Sequence, residues 1–247
     1  MIEIKEIQKV DLKEYVFVEG FPGVGLVGPM AISYMVQKLK MKYIGYIDSE
    51  EFPPLITIHD GKPLPPLRLY YSEKYKIFSI FAEFAIPFEL VYELSGVIYS
   101  YIKGKQVSKV ISISGIPSGH VETDDTFAIG STEELTEEAE KAGINTITEG
   151  VSTGVSAMLL KNSITDPNGI PVLDLLVPVE TNLIDPKYAE RAITGINKLL
   201  GIKIEVEDLE KEAMEVESKM QELIKKSKES KDGYKKTLNN TDSSMYG

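Results

Sequence analysis

Short apolar runs alternate along this chain with segments whose apolar residues recur every three or four positions. The short runs predict strands, whereas the wider spacing predicts helices with one buried face. Repeated strand and helix units are typical of an α/β layered fold built on a parallel or mixed sheet. The predicted strands are residues 1–10, 15–19, 43–48, 55–59, 67–71, 77–84, 107–113, 144–147 and 172–177, and the predicted helices are 29–39, 88–102, 131–142, 155–160 and 186–200.

Several of these elements carry local signals at their ends. Ser131 begins a capping box for the helix through residue 142, and Gly143 follows that helix where a positive φ is favoured. Asp185 and Pro186 have the residue types of an N-cap and a first helical position, and Gly201 is placed to end the same helix. These signals predict helix boundaries to within a residue or two.

The hydrophobic pattern changes after Ile204. Within residues 205–226, apolar positions are spaced four, three, four and three residues apart among Glu and Lys, which predicts an amphipathic helix with an a/d heptad seam. The seam spans fewer than three heptads, so two arrangements remain open: packing on its own domain, or pairing with a helix of another subunit. The seam residues are Leu209, Ala213, Val216, Met220 and Leu223.

Residues 227–247 are nearly devoid of apolar side chains and consist largely of Lys, Ser, Asp and Asn. Such a composition buries too little surface to offset the entropy of ordering, so we expect a flexible tail. The predicted organisation is therefore an α/β core domain over residues 1–204, an amphipathic helix over 205–226 and a flexible tail over 227–247.

Composition and charge narrow the range of partners. The chain has 247 residues, 43% of them hydrophobic, and a formal net charge of -11, which is ample for one sizeable core. Binding to nucleic acid depends on clustered Lys and Arg, and a strongly acidic chain repels a phosphate backbone. We therefore expect no nucleic-acid partner.

The chain contains no cysteine, which excludes disulfides, thiolate metal sites and a cysteine nucleophile, and fits a reducing compartment. Residues 1–10 alternate apolar with charged side chains and lack the apolar core of a signal peptide. No apolar stretch approaches the roughly 18 residues that cross a bilayer. We expect a soluble cytoplasmic protein with no membrane partner.

A glycine-rich loop follows the strand at residues 15–19. Gly23, Gly25 and Gly28 have the spacing of the dinucleotide-binding fingerprint, and Asp48 follows some 20 residues later at the end of the next predicted strand. The loop is otherwise apolar, and Pro29 removes one N–H donor where a phosphate would bind. The alternative is that the glycines bring a helix close to a sheet or to a neighbouring subunit.

Two further glycine loops, at residues 115–120 and 150–155, follow probable core strands, where α/β folds usually place ligands. Ser118, Ser152 and Thr153 could donate to a small anion there. The alternative interpretation is that both loops are tight turns at strand ends.

No catalytic pattern emerges from the remaining residues. His59 and His120 are the only histidines, too few for a three-histidine zinc site, and no metal-binding, serine-hydrolase or phosphate-loop motif occurs. We expect no catalytic residue, no metal and no cofactor. The carboxylates that could serve a catalyst without a local motif, none of them favoured over the others, are Glu83, Asp124, Asp125 and Glu180.

The string GFPGVGLVG at residues 20–28, together with the two later glycine loops, resembles the proteasome assembly chaperone family, especially its archaeal homologues. The resemblance covers roughly residues 10–201. It implies a three-layer α/β/α fold similar to that of nucleoside phosphorylases, and a protein without enzymatic activity that binds proteasome α subunits as an oligomer. The residues of the string that carry it are Gly20, Pro22, Gly23, Gly25 and Gly28.

The C-terminal residues Met245, Tyr246 and Gly247 also resemble a motif of proteasome activators, in which a hydrophobic residue and a tyrosine precede the last residue. The leading hypothesis is therefore an ATP-independent assembly chaperone or gate-opening activator of the 20S particle. It would act as a homo-oligomer, expected to be a tetramer or a pentamer. The alternatives are a nucleotide- or NAD-dependent enzyme that uses the loop at 23–28 with Asp48, and an oligomeric scaffold with an inert tail.

Overall fold

A computed structural model describes residues 1–59, 61–118, 125–180 and 183–207, and the single positions 209, 214 and 218. None of the helices in these segments is long and apolar enough to cross a membrane. Some of the sequence-based predictions concern residues outside these segments. These residues are His120, Asp124, the seam residues Ala213, Val216, Met220 and Leu223, and the C-terminal residues Met245, Tyr246 and Gly247.

Strands and helices alternate as the hydrophobic pattern predicts. The strands are β1 (Glu3–Glu6), β2 (Val16–Glu19), β3 (Lys42–Asp48), β4 (Thr57–His59), β5 (Lys62–Leu64), β6 (Leu67–Ser72), β7 (Ile77–Ala82), β8 (Lys109–Ser118), β9 (Phe127–Gly130), β10 (Asn145–Thr146) and β11 (Val172–Glu180). The helices are α1 (Val27–Lys38), α2 (Val91–Gly104), α3 (Glu133–Lys141), α4 (Gly154–Thr165) and α5 (Pro186–Leu200). Short 3₁₀ turns, Val24–Leu26 and Phe88–Leu90, lead into α1 and α2.

Within the described residues the main sheet has nine strands in the order β1-β3-β6-β7-β2-β8-β11-β9-β10. Its centre is parallel, because β2 runs parallel to β7 and β8, and β8 runs parallel to β11. The pairs β1/β3, β3/β6, β6/β7 and β9/β11 are antiparallel, so the sheet is mixed. The apolar run at 107–113 belongs to a buried parallel strand, as predicted.

Helices cover both faces of the sheet, which confirms the predicted α/β/α layering. Val18 and Ile111 belong to one hydrophobic core with α1 and α5, and the neighbouring residues Phe17 and Val110 belong to a second core with α2 and α4. Successive side chains of a strand point to opposite faces, so each central strand contributes to both cores. Most residues of the central strands β2, β8 and β11 are therefore buried.

The start of α3 differs from the prediction by one residue. Thr132, rather than Ser131, is the N-cap, and its hydroxyl accepts a hydrogen bond from the Leu135 N–H at 3.3 Å. The Ser131 hydroxyl is engaged elsewhere, because it accepts from the Val172 N–H and from the Ser163 hydroxyl, both at 2.9 Å. The predicted cap was wrong because a tertiary contact with β11 outweighs a local one.

The predicted ends of α5 are confirmed. Asp185 caps it by accepting from the Lys187 N–H at 2.9 Å, with Pro186 in the first turn, and Gly201 ends it at φ 61°. The glycine at 143 likewise has a positive φ, of 71°. Local backbone geometry determines the residue types at these helix ends, so the sequence alone predicts where the helices begin and end.

Strand β8 is longer than predicted, and β9 was not predicted. Residues 115–118, expected to form a loop, continue β8 in parallel register with β11 as far as the pair Ser118 and Glu180. β9 spans four residues and pairs with both β10 and β11. Such a short segment has little periodicity of its own, and its conformation depends on the partner strands.

The chain beyond α5 returns to the core. The Tyr34 hydroxyl of α1 donates to the Glu205 carbonyl at 2.6 Å, and the Asn197 side chain bonds to both the N–H and the carbonyl of Ile204. Leu209, the first residue of the predicted seam, is only 2% exposed and belongs to the core formed with α1 and α5. Leu209 thus contacts its own domain, and the arrangement of the rest of the seam stays a prediction.

A cavity at the carboxyl ends of the parallel strands

The glycine loop between β2 and α1 is packed against the chain itself. A Cβ atom on Gly20 would lie 2.6 Å from the Gly28 Cα, and one on Gly28 would lie 2.7 Å from the Gly20 carbonyl carbon. Gly25 has φ +70° and would direct a Cβ to within 3.0 Å of the Val179 side chain. These glycines allow α1 to begin in direct contact with the end of β2 and with β11.

A second contact fixes the same loop on β8. A Cβ on Gly115 would lie 2.1 Å from the Val24 carbonyl oxygen, so only glycine fits at that position of the strand. The close backbone approach that a dinucleotide would need is therefore made by the protein's own strands. Of the two alternatives for residues 20–28, the structure favours packing of a helix on a sheet.

Asp48 is not brought to the glycine loop. It ends β3, and β6 and β7 lie between β3 and β2 in the sheet. Its carboxylate pairs instead with the Lys5 ammonium at 2.9 Å, on an exposed part of the surface. The fingerprint of Gly23, Gly25, Gly28 and Asp48 therefore does not form a dinucleotide site.

A cavity of about 910 Å³ lies where β2, β8 and β11 end. It is bounded by residues 21–24 of the first glycine loop, by 114–117 of β8 and by 147–156, which lead into α4. The carboxyl ends of parallel strands are the usual ligand position of α/β folds. Ser152 and Thr153 line this cavity as the sequence suggested, whereas Ser118 lies farther along β8 and does not.

Three polar residues lie in register behind the cavity. Glu19 of β2, Ser112 of β8 and Asp174 of β11 are cross-strand neighbours, and all three are fully buried. Each lies two residues after an apolar residue of the core formed with α2 and α4, so their side chains share that face of the sheet. They form a polar row across the three central strands.

Few hydrogen bonds satisfy this row. The Phe21 N–H donates to Glu19 Oε2 at 3.2 Å, and the Ser152 hydroxyl donates to Asp174 Oδ2 at 3.3 Å. The remaining oxygens, Glu19 Oε1, Asp174 Oδ1 and Ser112 Oγ, have no partner in good hydrogen-bond geometry. Serine hydroxyls nevertheless lie close enough to lower the pKa of both carboxyls. Each buried polar atom without a hydrogen bond costs about 1–3 kcal/mol, so this row lowers the stability of the folded protein.

Burial changes the acidity of both carboxyls. Desolvation, together with the charge of Asp174, raises the pKa of Glu19 to about 7, although hydrogen bonding from the Ser112 and Ser156 hydroxyls and the Phe21 N–H offsets part of the rise. Desolvation also raises the pKa of Asp174 to about 6, against the hydroxyls of Ser114 and Ser152. Both carboxyls therefore gain or lose their protons close to neutral pH.

Sequence reasoning missed Glu19 and Asp174. The sequence contained one signal, because Asp174 interrupts the otherwise apolar run VLDLLV of β11. A carboxylate inside a buried strand often belongs to a functional site. Glu19 carried no such signal, since it ends its strand. Only the register of three strands brings the two together.

Glu83, one of the carboxylates considered as a catalyst, belongs to a different cluster. It accepts from the Arg68 guanidinium at 2.5 Å and lies 2.9 Å from His59 Nε2. Arg68 also donates to the Thr57 hydroxyl at 2.8 Å and to the Pro65 carbonyl at 3.0 Å. These contacts tie the β4–β5 hairpin to the sheet, and the cluster does not line the cavity.

The other candidate carboxylates do not converge. Asp125 and Glu180 are both exposed, and neither lines the cavity. Among the described residues no group of three or more His, Asp or Glu side chains has the geometry of a metal site.

Large apolar side chains are exposed near the carboxyl ends of the strands. Phe88, between β7 and α2, is 91% exposed, and Val151, on the rim of the cavity, is 90% exposed. Tyr92 in the first turn of α2 and Ile58 in β4 are also mostly exposed. These side chains are therefore candidates for contact with a partner protein.

Comparison with known proteins gives consistent results. Residues 17–224 match the model of the PAC2 family. An uncharacterized protein of Methanocaldococcus jannaschii is 31% identical over 219 residues, which are 88% of this chain and 89% of that protein.

Two solved structures are similar over nearly the whole chain. Pyrococcus furiosus PbaA, described as an archaeal homolog of proteasome-assembly chaperone, has a TM-score of 0.81 and 33% identity, and the match covers 93% of this chain and 100% of PbaA. Pyrococcus furiosus PbaB, described as an archaeal proteasome activator, has a TM-score of 0.74 and 20% identity, with 90% of this chain and 98% of PbaB covered. At 20% identity, the similarity to PbaB establishes a shared fold and nothing further.

Proposed function

The chain belongs to the PAC2 family, and on that premise we propose that it acts on the proteasome as an assembly chaperone or activator without catalysing a reaction. The observation that carries the proposal is the similarity to PbaA, at 33% identity over the full length of that protein. The packing of the glycine loop agrees with this assignment, because it holds helix and strands together and leaves no dinucleotide site.

The proposed partners are proteasome α subunits and further copies of the same chain, and the proposed location is the cytoplasm. The exposed Phe88, Tyr92 and Val151 support a function in protein binding, since burial of such side chains supplies much of the free energy of protein association. A homo-oligomer, either a tetramer or a pentamer, would present several identical binding segments to one proteasome ring.

The proposed docking segment is the C-terminus. The Gly247 carboxylate would pair with a lysine of an α-ring pocket, the Tyr246 ring would be buried with its hydroxyl hydrogen-bonded, and Met245 would fill an irregular apolar gap. A flexible tail of about 20 residues would span about 25 Å. Several such tails on one oligomer raise each other's effective concentration, so a weak single contact becomes a tight joint one.

Removal of residues 245–247 tests this docking. We expect the truncated chain to bind immobilised 20S proteasome at least tenfold more weakly than the full chain in surface plasmon resonance, because every tail loses its anchor. A matched control replaces Asn239 and Asn240 by Ala and keeps the terminus intact, and it should bind as the full chain does. Undiminished binding after truncation would rule out the tail mechanism.

A second measurement separates the tail mechanism from the function itself. The full chain is mixed with free α subunits and with the assembled 20S particle, and complexes are resolved by size-exclusion chromatography. The proposed function requires a complex with at least one of them, and absence of both would contradict it. Faster assembly of α rings would identify a chaperone, and faster peptide hydrolysis by the 20S particle would identify an activator.

A further inference from the structure

The cavity at the ends of β2, β8 and β11 has the size and the wall chemistry of a small-molecule site. Its volume of about 910 Å³ lies within the range of about 300–1,000 Å³ that is usual for ligand pockets. Apolar side chains form much of the wall, and the hydroxyls of Ser114, Ser152 and Ser156 interrupt them. The apolar wall residues include Phe21, Ile116, Ile129, Ile147 and Leu176.

The charge of the wall disfavours anions. Among the described residues that line the cavity, none is a lysine, an arginine or a histidine, whereas Glu149 is one of them. Glu19 and Asp174 add two carboxyls directly behind the wall, where they contact the segments that form it through Phe21 and Ser152. A phosphate or carboxylate entering the cavity would lose its hydration without gaining a cationic partner.

The hydroxyl of Ser152 sets the direction of hydrogen bonding on one side of the cavity. A serine hydroxyl carries one proton, and that of Ser152 is donated to Asp174 Oδ2. Its lone pairs can therefore only accept from a ligand. Glu19 and Asp174 do not line the cavity themselves, so they act on a ligand only through the negative charge that they place behind its wall.

The start of α4 offers hydrogen-bond donors to a ligand instead of acceptors. This helix is 12 residues long, and the Thr153 side chain at its N-cap makes no capping hydrogen bond, so the first backbone N–H groups of the helix can donate to an acceptor atom of a ligand. Val155 and Ser156 of this first turn line the cavity. A fitting ligand thus combines donors on one side with an acceptor on the other.

From this combination we propose that the cavity binds a small molecule that is neutral or cationic, with an apolar ring and N–H or O–H donors, and that it excludes phosphorylated and carboxylated ligands. Neither family membership nor the proposed action on the proteasome assigns such a site.

Three probes that share an indole ring test the charge requirement: tryptamine, indole-3-acetamide and indole-3-acetate. Binding to the full chain is measured by isothermal titration calorimetry at pH 8, where Glu19 and Asp174, with pKa values that burial raises to about 7 and about 6, are mostly ionised. We expect saturable binding of the cationic amine and the neutral amide, each at least tenfold tighter than binding of the acetate. Equal affinity for amide and acetate, or no saturable binding of amine and amide, would overturn the proposal.

Variants locate the binding. Ser152→Ala removes an acceptor from an exposed part of the wall, and Thr148→Trp fills the exposed rim. We expect each to weaken binding of the amide at least fivefold. Thr165→Ala, at the far end of α4, is the matched control and should bind as the unaltered chain does. Equal weakening by Thr165→Ala, or no effect of Ser152→Ala and Thr148→Trp, would place the probes elsewhere and refute the assignment.

Discussion

The buried carboxyls of Glu19 and Asp174 each lower the stability of the fold. Glu19 and Asp174 are fully buried on the central strands β2 and β11, and neither has a cationic partner among its hydrogen bonds. Their raised pKa values follow from desolvation, which disfavours the charged form. Stability and protonation are therefore linked at these positions.

Replacement of Glu19 by Gln should remove part of this pH dependence. The pKa of Glu19 is raised by burial from 4.5 to about 7, so between those pH values the unfolded chain releases a proton that the folded chain retains. The free energy of unfolding then falls as pH rises through this window and stays low above it. Relative to the unaltered chain, Glu19→Gln should gain up to about 3 kcal/mol between pH 4.5 and pH 8.

Urea unfolding at both pH values measures this difference. Asp48→Asn serves as the control, because Asp48 is exposed on β3, and its substitution should leave the slope between pH 4.5 and pH 8 nearly unchanged. The same slope in Glu19→Gln as in the unaltered chain would show that Glu19 is not the group responsible.

At the scale of elements, the glycine string determines how α1 is placed against the sheet. Gly20 and Gly28 bring the end of β2 and the first turn of α1 into backbone contact, and Gly115 lets the intervening loop lie on β8. This packing accounts for the glycine at these three positions. A nucleotide-binding loop and this packing contact both contain glycine because both need a close backbone approach.

Gly28→Ala should disrupt that contact. The new methyl group would lie 2.7 Å from the Gly20 carbonyl carbon, and backbone on both sides leaves no flexible side chain to yield. We expect a loss of about 2 kcal/mol or more in the free energy of unfolding. Gly96→Ala is the matched control, because Gly96 lies within α2 with no atom near its added methyl group. It should gain about 0.5–1 kcal/mol from helix propensity; equal effects of the two changes in denaturant titrations would refute this account.

At the scale of the whole molecule, the described chain does not end with α5. Tyr34 bonds to the Glu205 carbonyl, and Leu209 is buried against the core. The core domain thus uses residues beyond 204, and residues 205–209 contribute to its stability whether or not the rest of the seam pairs with another subunit.

Two truncations distinguish the contributions of this segment. Removal of residues 205–247 deletes the Leu209 contact and the bond to Tyr34, together about 3 kcal/mol, which lowers Tm by about 5–10 °C in a chain of this size. Removal of residues 219–247 alone should leave Tm within about 2 °C of the full chain, since Leu209 and Glu205 are retained. Calorimetry measures both, and light scattering on the same samples shows whether residues 205–218 or the domain body holds an oligomer together. An equal Tm for the two truncations would contradict the structural role of this segment.

Periodicity and turn chemistry in the sequence determined the layered α/β class, most strand positions, both ends of α5 and the family resemblance of residues 20–28, because these depend on neighbours along the chain. The N-cap of α3, strand β9 and the extension of β8 were decided by contacts between strands far apart in sequence. The same holds for the cavity, since the row of Glu19, Ser112 and Asp174 exists only through the register of β2, β8 and β11. Register is a property of the assembled sheet, and local pattern carries no information about which strands become neighbours.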